Sequence, residues 1–329
     1  MASEANTSPL LEVRDLHTHF VTRSGTARAV DGVSFTLNRG QTLGIVGESG
    51  SGKSVTCMSI VRLLPKTASR IAGGQVLFKG RDLLTLSEDE IRAIRGAEIS
   101  VVTQDPMTSL NPVYTIGNQM EEPLRYHQHV RSGNQLHERV VGALRQVGIP
   151  VPERRVRDYP HQLSGGQRQR VVTAMAIECH PSLLIADEPT TALDVTVQLQ
   201  ILRVLKEVQQ NLDLGMILVT HDLSVVARIC DDVAVMYAGR IVEHAPITEI
   251  FDRPRHPYTQ ALMLAVPKLN ASRERLNTIP GQPPDVRRLG SGCPFVPRCP
   301  KATERCREEY PPTTTVGESH TVACWEATS

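Results

Sequence analysis

Gly47-Glu48-Ser49-Gly50-Ser51-Gly52-Lys53-Ser54 packs three glycines, a lysine and three serines into eight residues, a composition suited to holding a phosphate chain. Glycine lets the backbone turn so that successive N–H groups point at phosphate oxygens. A helix starting at the end of the loop adds its positive N-terminal pole. Lys53 is placed to reach the β- and γ-phosphates of a nucleoside triphosphate, and the Ser54 hydroxyl to ligate Mg²⁺. A second feature is the apolar run Leu183-Leu184-Ile185-Ala186, which ends in Asp187-Glu188. Adjacent like charges at the end of a buried strand repel unless a cation or water meets them. Asp187 suits a Mg²⁺ ligand, and Glu188 suits orienting or deprotonating an attacking water. A strand that simply reaches the surface ends in acids just as readily, and the phosphate loop favours the chemical reading. Third, Leu163-Ser164-Gly165-Gly166-Gln167 precedes the helical stretch Arg168–Glu178. Serine and two glycines at a helix start offer a second phosphate-directed N-terminus, or only a capped helix with a flexible lead-in.

The surrounding elements alternate in a way that positions these motifs. Thr42–Val46 reads as a buried strand entering the glycine loop, and Val55–Leu64 as the helix that leaves it. Gln75–Phe78 and Arg81–Leu84 flank Lys79-Gly80, a two-residue hairpin signal. Val233–Tyr237 and Arg240–Glu243 flank Ala238-Gly239 in the same way. Ile116–Tyr126 and Gln135–Val147 carry helical spacing, with Leu136, Val140, Val141, Leu144 and Val147 on one face. Strands at Leu183–Ala186 and Ile217–Thr220, with a helix over Val195–Gln210 between them, give a βαβ rhythm. From about residue 252 prolines recur too densely for a packed α/β layer.

Leu-Ser-Gly-Gly-Gln at 163–167, twenty residues before Asp187, resembles the signature of the ABC ATPases. The resemblance covers about residues 11 to 250 and implies further assignments. Gln104, after Ile99–Thr103, resembles the glutamine that senses Mg²⁺ and the attacking water. Thr191-Ala192-Leu193-Asp194 resembles the loop following the paired acids, with Thr where Ser is commoner. His221 resembles the switch histidine at the γ-phosphate, and Phe20 the aromatic that stacks on adenine. In that family two subunits face each other head to tail. Ser164 and Gly166 then meet the ATP held by the partner's Gly47–Ser54 loop. The implied fold is an α/β, RecA-like P-loop NTPase core with an N-terminal antiparallel β-subdomain and a helical insert, followed by an irregular Cys/Pro-rich extension. The implied domains are 10–251 for the ATPase, with the helical part at about 112–178, and 252–329 for the extension.

The tail narrows the family. Arg255-His256-Pro257-Tyr258-Thr259, the later Cys293, Pro297-Arg298-Cys299, Cys306 and Cys324, and Gln104–Pro112 resemble the oligopeptide/dipeptide (peptide/nickel) importers, the dipeptide-permease ATPases above all. That resemblance implies a [4Fe–4S] cluster on Cys293, Cys299, Cys306 and Cys324. By spacing alone these thiols are separated by 5, 6 and 17 residues, looser than a zinc ribbon. Zinc, free thiols, or a mixed site using His320 remain open on that basis. Cys57, Cys179 and Cys230 lie in apolar stretches and read as small core residues. Expected partners are two transmembrane permease subunits, a second ATP-binding subunit (another copy or a related chain) and an extracytoplasmic peptide-binding protein. Nickel or glutathione systems of the same group are the alternative cargo.

Composition sets the limits. Thirty-six basic and 35 acidic side chains leave a formal charge of +1, which argues against nucleic acid. Met1–Pro9 lacks a basic segment and an apolar segment, so no secretory signal is expected there. No apolar run approaches the ~20 residues of a membrane helix. The expected location is the cytoplasmic face of the cell (inner) membrane, as a peripheral subunit. A soluble ABC ATPase of translation or repair is the rival reading; one core, no heptads and no positive charge count against it.

Overall fold

The computed structural model describes residues 8–23, 25–103, 109–191, 193–265 and 279–327. In chain order β1 (Leu11–Thr22), β2 (Gly25–Leu37) and β3 (Thr42–Val46) lead into α1 (Lys53–Ile60). β4 (Ser69–Phe78), β5 (Arg81–Asp82), α2 (Glu88–Ile94) and β6 (Ile99–Val102) follow. The helical stretch holds α3 (Ile116–His127), α4 (Gly133–Gln146), α5 (Pro152–Arg155) and α6 (Gly165–Ile177). Then come β7 (Leu183–Asp187), α7 (Val195–Leu212), β8 (Gly215–Thr220), α8 (Leu223–Ile229), β9 (Asp232–Tyr237) and β10 (Arg240–Pro246). α9 (Ile247–Asp252) leads into the tail, which contains α10 (Pro257–Ala265), α11 (Glu304–Glu308), β11 (Thr314–Thr315) and β12 (Thr321–Val322).

The chain forms two compact units. The first comprises Met1–Leu10, Leu37–Gln41 and Thr85–Val219. Its strands β6, β7 and β8 are parallel and in that order, with Ile99 opposite Leu183 and Leu183 opposite Gly215. Parallel neighbours need a crossover, and α7 supplies the one from β7 to β8. That helix buries Ile201, Leu202, Leu205 and Val208. Every residue of β7 and β8 is buried. The helical part interrupts the chain between β6 and β7. As the spacing predicts, α4 buries Leu136, Val140, Val141 and Leu144, and Val147 is fully buried just beyond it.

The second unit comprises Leu11–Thr36, Thr42–Leu84 and Thr220–Ser329, so the glycine loop and the proline-rich tail share one compact body. β1 pairs antiparallel with β4, and β4 with β5. β3 runs parallel to β9, which turns antiparallel into β10. Both predicted hairpin turns form: Lys79-Gly80 and Ala238-Gly239 have all four residues at positive φ, the geometry of a type I′ turn. The tail then adds β12 to the edge of β10, and β11 to β12. Prolines do not prevent this, because the added strands are two residues each at a sheet edge.

Three helices begin earlier than their sequences suggest, α4 among them, at Gly133 rather than Gln135. α1 starts at Lys53 rather than Val55, because left-handed Gly52 caps it directly from the loop. It stops at Ile60, two residues before Arg62 at φ 54°. α6 starts at Gly165 rather than Arg168. Ser164 accepts from the Gln167 N–H while the Gln167 side chain accepts from the Ser164 N–H, a capping box that offsets two glycines.

At the end of α6 sits Glu178, whose two carboxylate oxygens are buried without a hydrogen-bond partner. Burial pushes its pKa up to about 8, and the charge of Arg139 only partly opposes this. The unfolded chain ionises near 4.5, so between 4.5 and 8 the folded chain holds a proton that the unfolded chain has lost. Stability therefore falls as pH rises across that window. Glu178→Gln should stabilise the protein by on the order of 1–3 kcal/mol at pH 8 and leave it unchanged near pH 4.5, as read by urea unfolding at the two pH values.

Candidate functional site

In the second unit, five buried residues of β3 deliver the chain to Gly47. Gly47 has φ 154°, and a Cβ there would collide with the Met236 carbonyl. Gly52 has φ 105°, and a Cβ there would collide with the Ala29 carbonyl. These two positions exclude any other residue for steric reasons. The Ser51 N–H donates to Glu48 O (3.2 Å), closing the turn, and the Gly239 N–H donates to Ser51 O (2.9 Å), supporting it from the β9–β10 hairpin. Ser49 and Gly50 face solvent. Lys53 is 5% exposed, and its ammonium donates to Gly47 O (2.8 Å) and Glu48 O (2.9 Å). The cation is thus folded back over the loop it must serve. Ser54 follows, half-buried, in the first turn of α1. Phe20 lies half-buried in β1, opposite Ser69 of β4. His221 is exposed just after β8, and Asp222 beside it caps α8 by accepting from the Ser224 N–H (2.8 Å).

In the first unit, Asp187 ends β7 and is 5% exposed. Glu188 adopts φ 48°, a left-handed conformation unusual for a residue with a side chain. Its N–H donates to Val219 O (2.9 Å), and its carboxylate accepts from the Thr191 hydroxyl (2.9 Å). Both contacts hold the strained backbone and aim the carboxylate. Asp194 caps α7, accepting from the Val197 N–H (3.0 Å). Ser164 is exposed at the N-terminus of α6. A Cβ on Gly166 would press into the Val197 side chain, so this glycine also permits α6 and α7 to approach closely. Gln104 lies outside the described residues.

In the tail, the four clustered cysteines come together in space. Phe295, Pro311 and Trp325 wall the cavity that they line. The Cys293 N–H donates to Cys306 O (2.8 Å). Burial, then the neighbouring Cys306, Cys324 and Cys299, pushes the Cys293 thiol up to about 11. Among the described residues, no three of these thiols bring their sulfurs within 4.8 Å of one another. His320 is not among the residues that line this cavity; its Nε2 is bonded to Glu243 (2.7 Å), and its side chain is 3% exposed. Glu243 also accepts from the N–H groups of Arg255 (2.7 Å) and His256 (2.9 Å). Cys57, Cys179 and Cys230 are buried, as expected. His17, His19 and Asp31 do bring ligand atoms within 4.8 Å. There, however, Asp31 is occupied by Arg240 (2.6 and 3.1 Å) and by His17 (3.2 Å), an ion-pair network rather than an open site.

Two site features were not anticipated from the sequence. Arg298 binds the Glu48 carboxylate through both terminal nitrogens, and Tyr258 binds the Glu48 N–H. The only signal was that both belong to the tail motifs quoted above. The left-handed Glu188 carries no signal in its residue type, since glycine or asparagine is the usual occupant of such a position.

The comparisons with known proteins agree with this geometry. Residues 30–191 match the family described as ABC transporter, and residues 242–306 match the oligopeptide/dipeptide transporter C-terminal region. The dipeptide transport ATP-binding protein DppD of Bacillus subtilis is 51% identical over 96% of this chain and 94% of its own. The oligopeptide transport ATP-binding protein OppD of the same organism is 50% identical over 96% of this chain and 88% of its own. Among solved structures, the ATP-binding cassette MJ0796, in a dimeric post-hydrolysis state with ADP and Pi, superposes with a TM-score of 0.65. It is 27% identical and covers 72% of this chain and 98% of its own. No helix among the described residues is long and apolar enough to cross a membrane. With its cassette fold, its intact glycine loop and this identity along nearly its whole length, the chain belongs to the ATP-binding proteins of ABC transporters, in the oligopeptide/dipeptide group.

Proposed function

We propose that this chain hydrolyses ATP to drive uptake of dipeptides or oligopeptides across the cytoplasmic membrane, from whose inner face it works as a peripheral subunit. The observation that carries this reading is the pairing, in one chain, of a complete phosphate loop with a tail of the oligopeptide/dipeptide type. Residues 10–251 serve as the ATPase domain, with its helical part near 112–178, and 252–329 as the extension.

The roles follow from the residue chemistry. The N–H groups of the Gly47–Ser54 loop other than those of Glu48 and Ser51, together with the Lys53 ammonium, neutralise the β- and γ-phosphates. Ser54, Asp187 and Gln104 would hold Mg²⁺, which would supply positive charge to the phosphates. Glu188 orients the attacking water and accepts its proton, its aim fixed by Thr191 and the Val219 carbonyl. His221 contacts the γ-phosphate, and Phe20 packs on the base. Ser164 and Gly166 serve the ATP of a second ATP-binding subunit, a copy of this chain or a relative. Glu188→Gln should keep ATP affinity within about twofold and lower kcat by a factor of roughly 10² or more in the assembled transporter. Normal turnover in that variant would remove Glu188 from the role.

A permease subunit needs an apolar landing place. Val113, Tyr114 and Tyr126 are more than half exposed. Tyr114 and Tyr126 line one groove with Asn118 and Arg125. Exposed aromatics with polar rims are typical of contact surfaces. Tyr126→Asp should abolish co-purification with the permease subunits while ATP binding by the free chain is retained.

Cys293, Cys299, Cys306 and Cys324 line one cavity, and their four thiolates would hold an iron–sulfur cluster. Phe295, Pro311 and Trp325 would give such a group a partly apolar surround. Anaerobically purified chain should carry about four irons and four acid-labile sulfides. A colourless protein with one zinc would overturn the assignment.

A further inference from the structure

Glu48 is the one carboxylate within the phosphate loop, and the tail holds it at two points. The Arg298 guanidinium donates to both its oxygens, at 2.6 and 2.9 Å. The Glu48 N–H donates to the hydroxyl oxygen of Tyr258 at 2.8 Å, and Tyr258 is fully buried. Arg298 is itself fixed. Its side chain is 3% exposed, its Nε donates to Pro280 O (2.9 Å), and Nη1 reaches the Tyr237 hydroxyl (3.3 Å). Phe295, Tyr237 and Tyr258 pack against one another around this pair, with ring centroids 4.6 to 5.4 Å apart.

This arrangement solves an electrostatic problem. A loop built to receive several phosphate charges gains nothing from a carboxylate of its own, because like charges held close together in a partly buried site repel. A bidentate arginine cancels that charge and fixes its direction at once, which a lysine does less well. Removing the arginine would leave an uncompensated carboxylate in the loop. The guanidinium belongs to the short turn Val296–Arg298, strung between Cys293 and Cys299. The turn is closed by Val296 N–H to Cys293 O (3.1 Å) and Cys299 N–H to Val296 O (3.2 Å).

We propose that Arg298 is a positioning residue for ATP: the tail neutralises and turns aside Glu48, so that nucleotide affinity depends on a segment outside the ATPase motifs. The proposal rests on the ATP-binding reading above and adds a residue that no family motif for nucleotide contains.

The test uses the full chain and titrates a fluorescent ATP analogue with Mg²⁺ into the wild type, Lys53→Ala, Arg298→Gln, Arg298→Lys and the double variant Glu48→Gln/Arg298→Gln. Thermal melting of each nucleotide-free protein is recorded in parallel. Failure of the wild type to bind, or equal binding by Lys53→Ala, would count against the ATP reading itself. With that reading intact, Arg298→Gln should weaken affinity roughly tenfold or more. The double variant should recover most of the loss, because it removes the carboxylate together with its partner. Arg298→Lys, which keeps the charge without the fork, should fall between, and it carries the test if Arg298→Gln does not fold. A lowered melting temperature with unchanged affinity in Arg298→Gln, or a double variant as weak as Arg298→Gln, would overturn the proposal and leave Arg298 a purely structural tie.

Discussion

The phosphate loop can bear no side chain at two of its positions, and the second unit is arranged around that fact. At Gly47 and Gly52 the space a Cβ would need is taken by the carbonyls of Met236 and Ala29. A loop of bare backbone loses much conformational entropy on ordering. Its shape must therefore be imposed by neighbours. β3 fixes where it starts, and the β9–β10 turn supports Ser51. The Asp31 N–H in turn donates to Gly239 O (2.9 Å), tying that turn to β2. Asp31 also holds Arg240 at the base of the same hairpin. The support is thus a chain of short contacts, each of which steadies the next.

Charge in the interior follows one rule. Glu243 is 1% exposed yet accepts from two backbone N–H groups and from His320, so its burial is compensated. Glu48 is matched by Arg298. Glu178 has neither kind of partner, and it avoids the cost of an ionised buried carboxylate by keeping its proton. Glu188 is the reverse case. It is satisfied through Thr191 and Val219, and the strain is in its backbone, where left-handed geometry costs of order 1–3 kcal/mol.

Much of this was legible in the residues. Both hairpins were set by Lys79-Gly80 and Ala238-Gly239, because only positive φ at two successive residues matches the twist of the strands. The apolar face of α4 followed from its spacing. Helix starts were misread where glycine carries the first turn, since propensity penalises glycine there while caps and tertiary contacts override it. The thiol cluster was visible as composition. Proline density spoke against an α/β layer beyond about residue 252, but it says nothing about side chains that reach across the fold. Arg298, Tyr258 and His320 act over sequence separations that no local pattern encodes.

The contact between Arg298 and Glu48 joins residues 250 positions apart. Translation at about 5–20 residues per second leaves a gap of roughly ten to fifty seconds between the synthesis of the loop and of the arginine that braces it. The ATPase motifs, from the glycine loop to His221, are all made before that brace exists. A nascent chain therefore passes through a stage in which its nucleotide site is fully encoded but its loop carboxylate is uncompensated. Arg298 is thus one of the last contributors to the surroundings of the loop to be synthesised.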